Sequence, residues 1–532
     1  MSLRRSRMSV IGRRRALPVA LLLVVLLAGG SPAEAANFPP ADSGYHNYPE
    51  MVTLIHQVAA AHPDIVQLVD IGKSYQGRII WAAKVSDNVA LDEGEPEVLF
   101  DGLHHANEHM GAEMAISILT LLTSNYGAAT ALGRRVTAVV DSRVVWIVFM
   151  VNPDGGQYTL TGHPYRYWRK NRQPTPGSSA IGTDLNRNYS YGWGCCGGSS
   201  GKPTSDTYRG PAPFSAPETR AIRDLVLSRV IDGRQRIRVS VTFHIPGRLV
   251  LWPYGYTSAD TPPDMTRLDH QTFVAMGKAM AARNGYQPLQ WGDGRRVDGV
   301  AIDWLYGSQR IFSYLFELGT SDRIPDEQIG PETSRNRDAL LYLMEQADCP
   351  YRSIGGAAQY CGPYFDDLEI PRGWTVNAGG TDTATDGAWE RGVPVADTWQ
   401  LGKATSGQSV MATGLKAGHD VDGGTTTVRS PAIHLPGGAS SLHLRYWVGL
   451  GADATAADQF VVQLVGGGGT PLATALTVTG DGTSHSPHWQ ALDYSIPQTL
   501  AGQDVAVELT AVDAEADSTV EAGVDDVRVT AP

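Results

Sequence analysis

Between residues 48 and 348 the apolar positions alternate between two rhythms. One returns every three or four residues: Tyr48 to His62, Gly111 to Tyr126, Pro217 to Val230 and Met265 to Asn284 each carry an apolar stripe, which predicts amphipathic helices. In the second of these the stripe is Met114, Ile118, Leu121 and Leu122, and the helix is expected to start at His109 or Met110. The other rhythm is a short run rich in apolar and β-branched residues: Ile79 to Val85, Glu97 to Leu103, Val144 to Val151, Arg236 to Phe243 and Ile311 to Leu318. Runs that are apolar on successive residues suit strands covered on both faces, so this part of the chain reads as α/β.

After Cys361 the helical rhythm disappears. Gly, Thr, Asp and Val dominate, and alternating runs such as LHLRYWVGL, QFVVQLV and DVAVELTAV recur between turn signals, which predicts an antiparallel β-sandwich. The boundary is expected near Gly362 to Tyr364. GGGG at 466 to 469 fits a hairpin loop, because no helix follows it to make a phosphate site.

Composition sharpens this picture at the N-terminus. Six arginines precede an apolar run from Ala16 to Ala28, followed by Ala33-Glu34-Ala35, the layout of a secretory signal with its cleavage site. The expected organisation is thus a signal peptide over 1–35, an α/β domain over 36–362 and an all-β domain over 363–532. The apolar run is too short to span a bilayer comfortably, so the protein is expected to be secreted and extracellular. Net charge is −12, with 21 Asp and Glu against 7 Lys and Arg beyond residue 362, which argues against a nucleic-acid partner. Four cysteines in an exported chain allow three pairings; Cys349 with Cys361 is favoured, since a bridge between adjacent Cys195 and Cys196 is strained. No cysteine spacing suits zinc.

The chemistry gathers in LHHANEH, directly behind an apolar run. Two zinc patterns overlap there. His105-x-x-Glu108-His109 fits a helical motif whose two histidines bind metal while the glutamate acts as base, and His105-x-x-Glu108 alone fits a loop motif whose histidine and glutamate are both ligands. The helical version needs both histidines on one face of a continuous helix. His105 lies two residues past a strand, and the helix begins only near His109, so the loop version is favoured. Zinc then needs a further protein ligand, and His244, closing the run VSVTFH, supplies it at a strand end, where open α/β sheets place their chemistry. IFSYLFEL also buries a lone Glu317, costly without a partner or a task, and GTDLNRNY sets Asp184, Asn186 and Arg187 in one loop.

These stretches, together with SGYHNY, IGKSYQGR, NPDGG, WRKNRQP, GWGCCGGSSG, WPYGY and DWLYG, make the chain from Asn37 to Cys361 resemble the zinc metallocarboxypeptidases of the carboxypeptidase A type, most closely bacterial carboxypeptidase T. The resemblance implies a mixed eight-stranded sheet with helices on both faces and one catalytic zinc on His105, Glu108 and His244. It implies Glu317 as general base, Arg169 as stabiliser of the oxyanion, Asn186 and Arg187 as the grip on the substrate's terminal carboxylate, and Asp184 as the group that orients His105. By the same resemblance, Gly255, Val300 and Ile302 line the pocket for the C-terminal side chain. The pocket carries no acidic residue at Val300 or Ile302, so hydrophobic or aromatic C-termini are expected to be preferred. The family departs here at three places: Asn107 replaces an arginine, Ile245-Pro246 replaces Ser-Tyr, and Arg295 replaces the tyrosine that caps substrate. Arg295 is expected to contact the terminal carboxylate instead.

Four carboxylates, Asp92, Glu93, Glu95 and Glu97, crowd one loop, and the resemblance favours a structural calcium ion there. The last region resembles jelly-roll accessory domains of secreted bacterial proteases, with a role in binding a polysaccharide or cell surface. The expected partners are therefore peptide or protein C-termini, on a monomeric enzyme that needs no inhibitory prosegment.

Overall fold

In a computed structural model, described for residues 37–161, 165–231, 234–514 and 518–531, the predicted strands assemble into one mixed sheet. The expected signal peptide lies outside the described residues. The eight strands run in the order Val66–Lys73, Ile79–Val85, Val144–Val148, Glu97–Gly102, Ile237–His244, Phe312–Glu317, Leu249–Trp252 and Gln287–Gln290. The central four are parallel, so their C-terminal ends share one edge. Register puts Gly102 opposite Phe243 and His244 opposite Glu317.

Alternate residues of the sheet enter different cores, as two-sided burial requires. Val98, Phe100, Val145 and Ile147 pack with the helices Met110–Asn125, Ala131–Val140, Arg267–Asn284 and Ile329–Glu345. Leu99, Val144, Trp146 and Val148 pack with Pro217–Ser228 and Ala301–Gln309. Observed helix and strand ends match the apolar rhythm to within three residues. The first helix is fixed by a capping box, Asn47 with Glu50.

One contact decides where the HHANEH loop lies. A Cβ on Gly102 would stand 2.3 Å from the Gly111 carbonyl oxygen, and one on Gly111 would stand 2.9 Å from that of Phe243. Two glycines therefore let the helix start press directly on the strand ends, and residues 103–109 must fold back over the sheet edge.

Beyond Glu345 the chain turns through Pro350–Ile354 and Ala357–Tyr360, and Tyr364–Asp366 already pairs with Val520–Thr530. This region is all-β. Two six-stranded antiparallel sheets enclose Leu442, Phe460, Val462, Leu509 and Val524, and Gly467–Gly469 lies in the connection between Gln459–Val465 and Pro471–Thr479, as the sequence predicts. Three of its tryptophans have structural places: Trp389 is buried, and the indoles of Trp374 and Trp489 donate to Asp366 Oδ2 (2.8 Å) and the Lys403 carbonyl (2.9 Å).

Both possible local disulfides form, Cys349–Cys361 as favoured and Cys195–Cys196 against expectation. The acidic loop also differs from expectation. Arg229 takes Asp92 (2.8 Å) and Glu97 (2.6 Å), and Glu97 also accepts from the Trp146 indole (2.8 Å), so the four carboxylates do not face one point. Pairing with a guanidinium, brought in from the end of the Pro217–Ser228 helix, removes two of the four expected calcium ligands. Glu93 and Glu95 gather instead with Asp87.

Candidate active site

His105 and Glu108 come from the folded-back loop, and His244 from the end of the neighbouring strand. All three are buried, and their ligand atoms lie within 4.8 Å of one another. His105 Nδ1 is 2.7 Å from Glu108 Oε1, His244 Nδ1 is 2.8 Å from Glu108 Oε2, and the two Nδ1 atoms are 3.0 Å apart. Lone-pair donors turned on one another so closely, out of water, fit a small cation with nitrogen and oxygen ligands; tetrahedral zinc spaces its ligand atoms at about 3.3 Å. Burial pushes the His244 imidazole down to about 4 in spite of Glu108, so near neutral pH the ring is uncharged and able to ligate.

The far nitrogen of His105 is held by Asp184, with Nε2 3.1 Å from Oδ1. Asp184 is fully buried and does more than this: Oδ1 accepts the Asn186 N–H (3.0 Å), and Oδ2 accepts Arg169 Nε and Nη2 (3.0 Å each). Burial pushes its carboxyl up, but Arg169, His105 and Arg187 overcome this and hold it well below the usual carboxylate range. Arg169 Nη1 in turn stands 3.7 Å from Glu108. Asn186 is oriented by the Ala301 N–H on Oδ1 (2.9 Å), and its Nδ2 meets His244 Nε2 at 3.2 Å.

Glu317 closes the next strand, level with His244. Its Oε2 is buried without a hydrogen-bond partner. Burial first, and then the charge of Glu108, push its pKa well above the usual carboxylate value, while Arg169 and Arg187 pull the other way. Arg187 is itself buried; burial lowers its pKa, Asp184 opposes this, and Arg169 and Arg295 add their repulsion. Arg169 and Arg295 are thus both within electrostatic reach of Arg187.

The other histidines of the motif are turned away. His104 contacts Tyr189 Oη (2.7 Å) and Asp101 (3.0 Å), and His109 is buried at the helix start, edge-on to Phe38, outside the ligand group. Gly255 is walled by Val297 and Trp291, and Val300 and Ile302 are fully buried with Leu251 and Leu315, while Arg295 is exposed. Sequence reasoning missed Val297, Trp291 and two buried acids nearby, Asp298 and Asp303; Asp303 accepts the Gly255 and Tyr256 N–H groups. A signal was present, since both acids flank the apolar Val300–Ile302 stretch, as Glu317 lies within its own.

The family model for zinc carboxypeptidase matches residues 51–339. The chain is 42% identical over 333 residues to the zinc carboxypeptidase of Saccharothrix mutabilis subsp. capreolus, covering 60% of this chain and 73% of that protein. This chain belongs to the zinc carboxypeptidase family. The metallocarboxypeptidase is also 31% identical to carboxypeptidase A1 of Sus scrofa over 309 residues, 57% of this chain and 70% of that one. The crystal structure of thrombin activatable fibrinolysis inhibitor superposes with a TM-score of 0.51 at 25% identity, covering 58% of this chain and 77% of the other. The family match ends before the all-β region. The activity is that of a hydrolase acting on the C-terminal bond of peptides, and the cofactor is zinc.

Proposed function

We propose that this carboxypeptidase works with His105, Glu108 and His244 as zinc ligands and Glu317 as general base. The observation that carries the reading is the pairing of a buried three-ligand cluster with an unpartnered carboxylate oxygen at the end of the adjacent strand. Zinc, when bound, supplies a Lewis acid that polarises the scissile carbonyl and acidifies water. Glu317 Oε2 takes the proton of the attacking water and passes it to the leaving amine. Burial and the Glu108 charge raise the Glu317 pKa, which makes its carboxylate a stronger proton acceptor than an ordinary glutamate. Arg169, fixed by its fork on Asp184, presents its remaining N–H groups to the oxyanion, so little reorganisation is needed as charge develops.

Arg187, Asn186 and Arg295 grip the terminal carboxylate. Crowded guanidiniums repel one another until an anion enters, and this favours a substrate with a free C-terminus over an internal bond. Beyond the carboxylate, the side chain meets Gly255, Val297, Val300 and Ile302, so Phe, Tyr, Leu or Met should be preferred over Lys and Arg. Two disulfides support a secreted enzyme, since such bridges persist in oxidising compartments. The test is kcat/KM on peptides differing only in their last residue, for wild type and Arg295→Ala. A wild-type preference for terminal Lys or Glu over Phe contradicts the pocket assignment. An equal loss of affinity for all peptides in the variant supports Arg295 as a carboxylate contact.

A further inference from the structure

Asp298 is fully buried beside the substrate pocket, and its partners all belong to one loop. It accepts the backbone N–H groups of Gly194 (3.3 Å), Cys196 (3.2 Å) and Gly198 (2.8 Å) and the Ser199 hydroxyl. Within that loop the Cys195–Cys196 bridge constrains the backbone between the first and second of these donors. The loop reaches the active site through Gly198. Its carbonyl accepts Arg187 Nε at 3.2 Å, and its lack of a side chain lets it lie against Val297, where a Cβ would come within 2.3 Å of Cα. From the other side Gly299 backs the Arg187 carbonyl, and the Gly299 carbonyl accepts the Tyr189 N–H (3.0 Å). Arg187 Nη1 bonds the Asn186 carbonyl (2.5 Å). Its Nη2 is left to meet a carboxylate.

We infer that Asp298 and the Cys195–Cys196 bridge form one support that positions Arg187, so that opening the bridge weakens the hold on the substrate's terminal carboxylate. Asp298 gathers the loop, the bridge keeps its N–H groups in place, and Gly198 transmits their position to the guanidinium. Asp298 is thus a positioning residue, and the vicinal bridge is a redox-responsive control on affinity. The bridge is reachable: Cys195 is exposed, whereas Cys349 of the other disulfide is buried. A dithiol reductant opens it in two exchanges. Its first thiolate attacks Cys195 Sγ, breaking the S–S bond and releasing Cys196 as a thiol after protonation. Its second thiol then displaces Cys195, so the reductant leaves as a cyclic disulfide and two electrons and two protons pass to the enzyme. Among the described residues no hydrogen bond or ion pair joins residues 194–199 to His105, Glu108, His244 or Glu317, so the effect falls on binding.

The inference rests on Arg187 being the carboxylate anchor, and the experiment separates the two. In the zinc-loaded full chain, Asp298→Asn and the double variant Cys195→Ser/Cys196→Ser should raise KM about tenfold, the effect of loosening one charge-assisted hydrogen bond, with kcat nearly unchanged. Inhibition by free L-phenylalanine should weaken in parallel, while inhibition by phenylalanine amide, which lacks the carboxylate, should not. Reducing the wild type with a phosphine should give the same KM increase and reverse on reoxidation, with alkylation and mass spectrometry of a separate aliquot locating the released thiols at Cys195 and Cys196; this arm decides the matter if a variant does not fold. An Arg187→Gln variant with unchanged KM overturns the anchor assignment itself. A raised KM in Arg187→Gln with unchanged KM in the other variants and in the reduced enzyme overturns the support.

Discussion

Asp184→Asn is the substitution whose consequences the geometry specifies most fully. The carboxylate accepts four bonds: two from neutral donors, His105 Nε2 and the Asn186 N–H, and two from the Arg169 guanidinium. An asparagine Oδ1 can still serve the neutral pair, but its Nδ2 then faces the guanidinium donor to donor, and the charge is gone. Removing one partner of a buried ion pair costs about 3–5 kcal/mol, because the other is left without compensation. At about 2 °C per kcal/mol for a fold of this size, the melting temperature should fall by about 6–10 °C. His105 would also lose the partner that fixes its ring, and zinc affinity should weaken about 10- to 100-fold. Thermal melts of the metal-free protein and a chelator-competition titration of zinc measure the two effects separately. Turnover at saturating zinc should stay below wild type, since a displaced Arg169 can no longer serve in its proposed role at the oxyanion. A variant with wild-type melting temperature and zinc affinity would refute the view that Asp184 organises the site.

Other consequences follow from particular contacts. His244→Ala should lose stoichiometric zinc and His109→Ala should keep it, as read by metal analysis, because His244 faces Glu108 and His109 lies outside the ligand group. Truncation after Gly362 removes Arg372, which stands 3.5 Å from Asp366 and near Tyr351 and Asp269, and Phe365, which packs on Tyr351. Calorimetry should show a lower melting temperature for the truncated protein, while small-peptide hydrolysis persists below it. Glu521 is pushed up to about 8 by burial and then by Asp397 and Asp420, from an ordinary value of 4.5. Between those two pH values the folded protein keeps a proton that the unfolded chain has released, so stability falls as pH rises through the window. Glu521→Gln should therefore melt higher than wild type above the window and equally below it. Calcium should leave the melting temperature of the zinc-loaded enzyme unchanged, because Arg229 already neutralises Asp92 and Glu97.

The strands that carry the chemistry were legible because they are buried on both faces, and such strands are apolar without interruption. The three that the apolar rhythm does not mark are less so: Val66–Lys73 is largely half-exposed, Leu249–Trp252 has four residues, and Gln287–Gln290 is a polar edge containing Pro288. The helix Ile329–Glu345 was hidden by Gly330, Pro331 and a charged exposed face. At the site, His244 and Glu317 are legible as polar residues at or near the end of an apolar run, and His105 and Glu108 as a His-x-x-Glu spacing directly behind another, because strand ends converge. Asp298 and Arg229 could not be assigned partners, since theirs lie about a hundred residues or more away in the chain. In the sequence local strain argues against the vicinal bridge, and only the fold reveals the carboxylate that gathers its loop.

In the proposed mechanism Glu317 moves the proton at a site whose metal it does not hold. Glu317→Gln keeps the shape and removes only the proton acceptor. Zinc content and release of the C-terminal residue from a blocked peptide, measured on the same preparation, should show stoichiometric metal, an unchanged fold and a turnover lower by about 100-fold or more. Turnover close to wild type in the zinc-loaded variant would show that Glu317 is not the base.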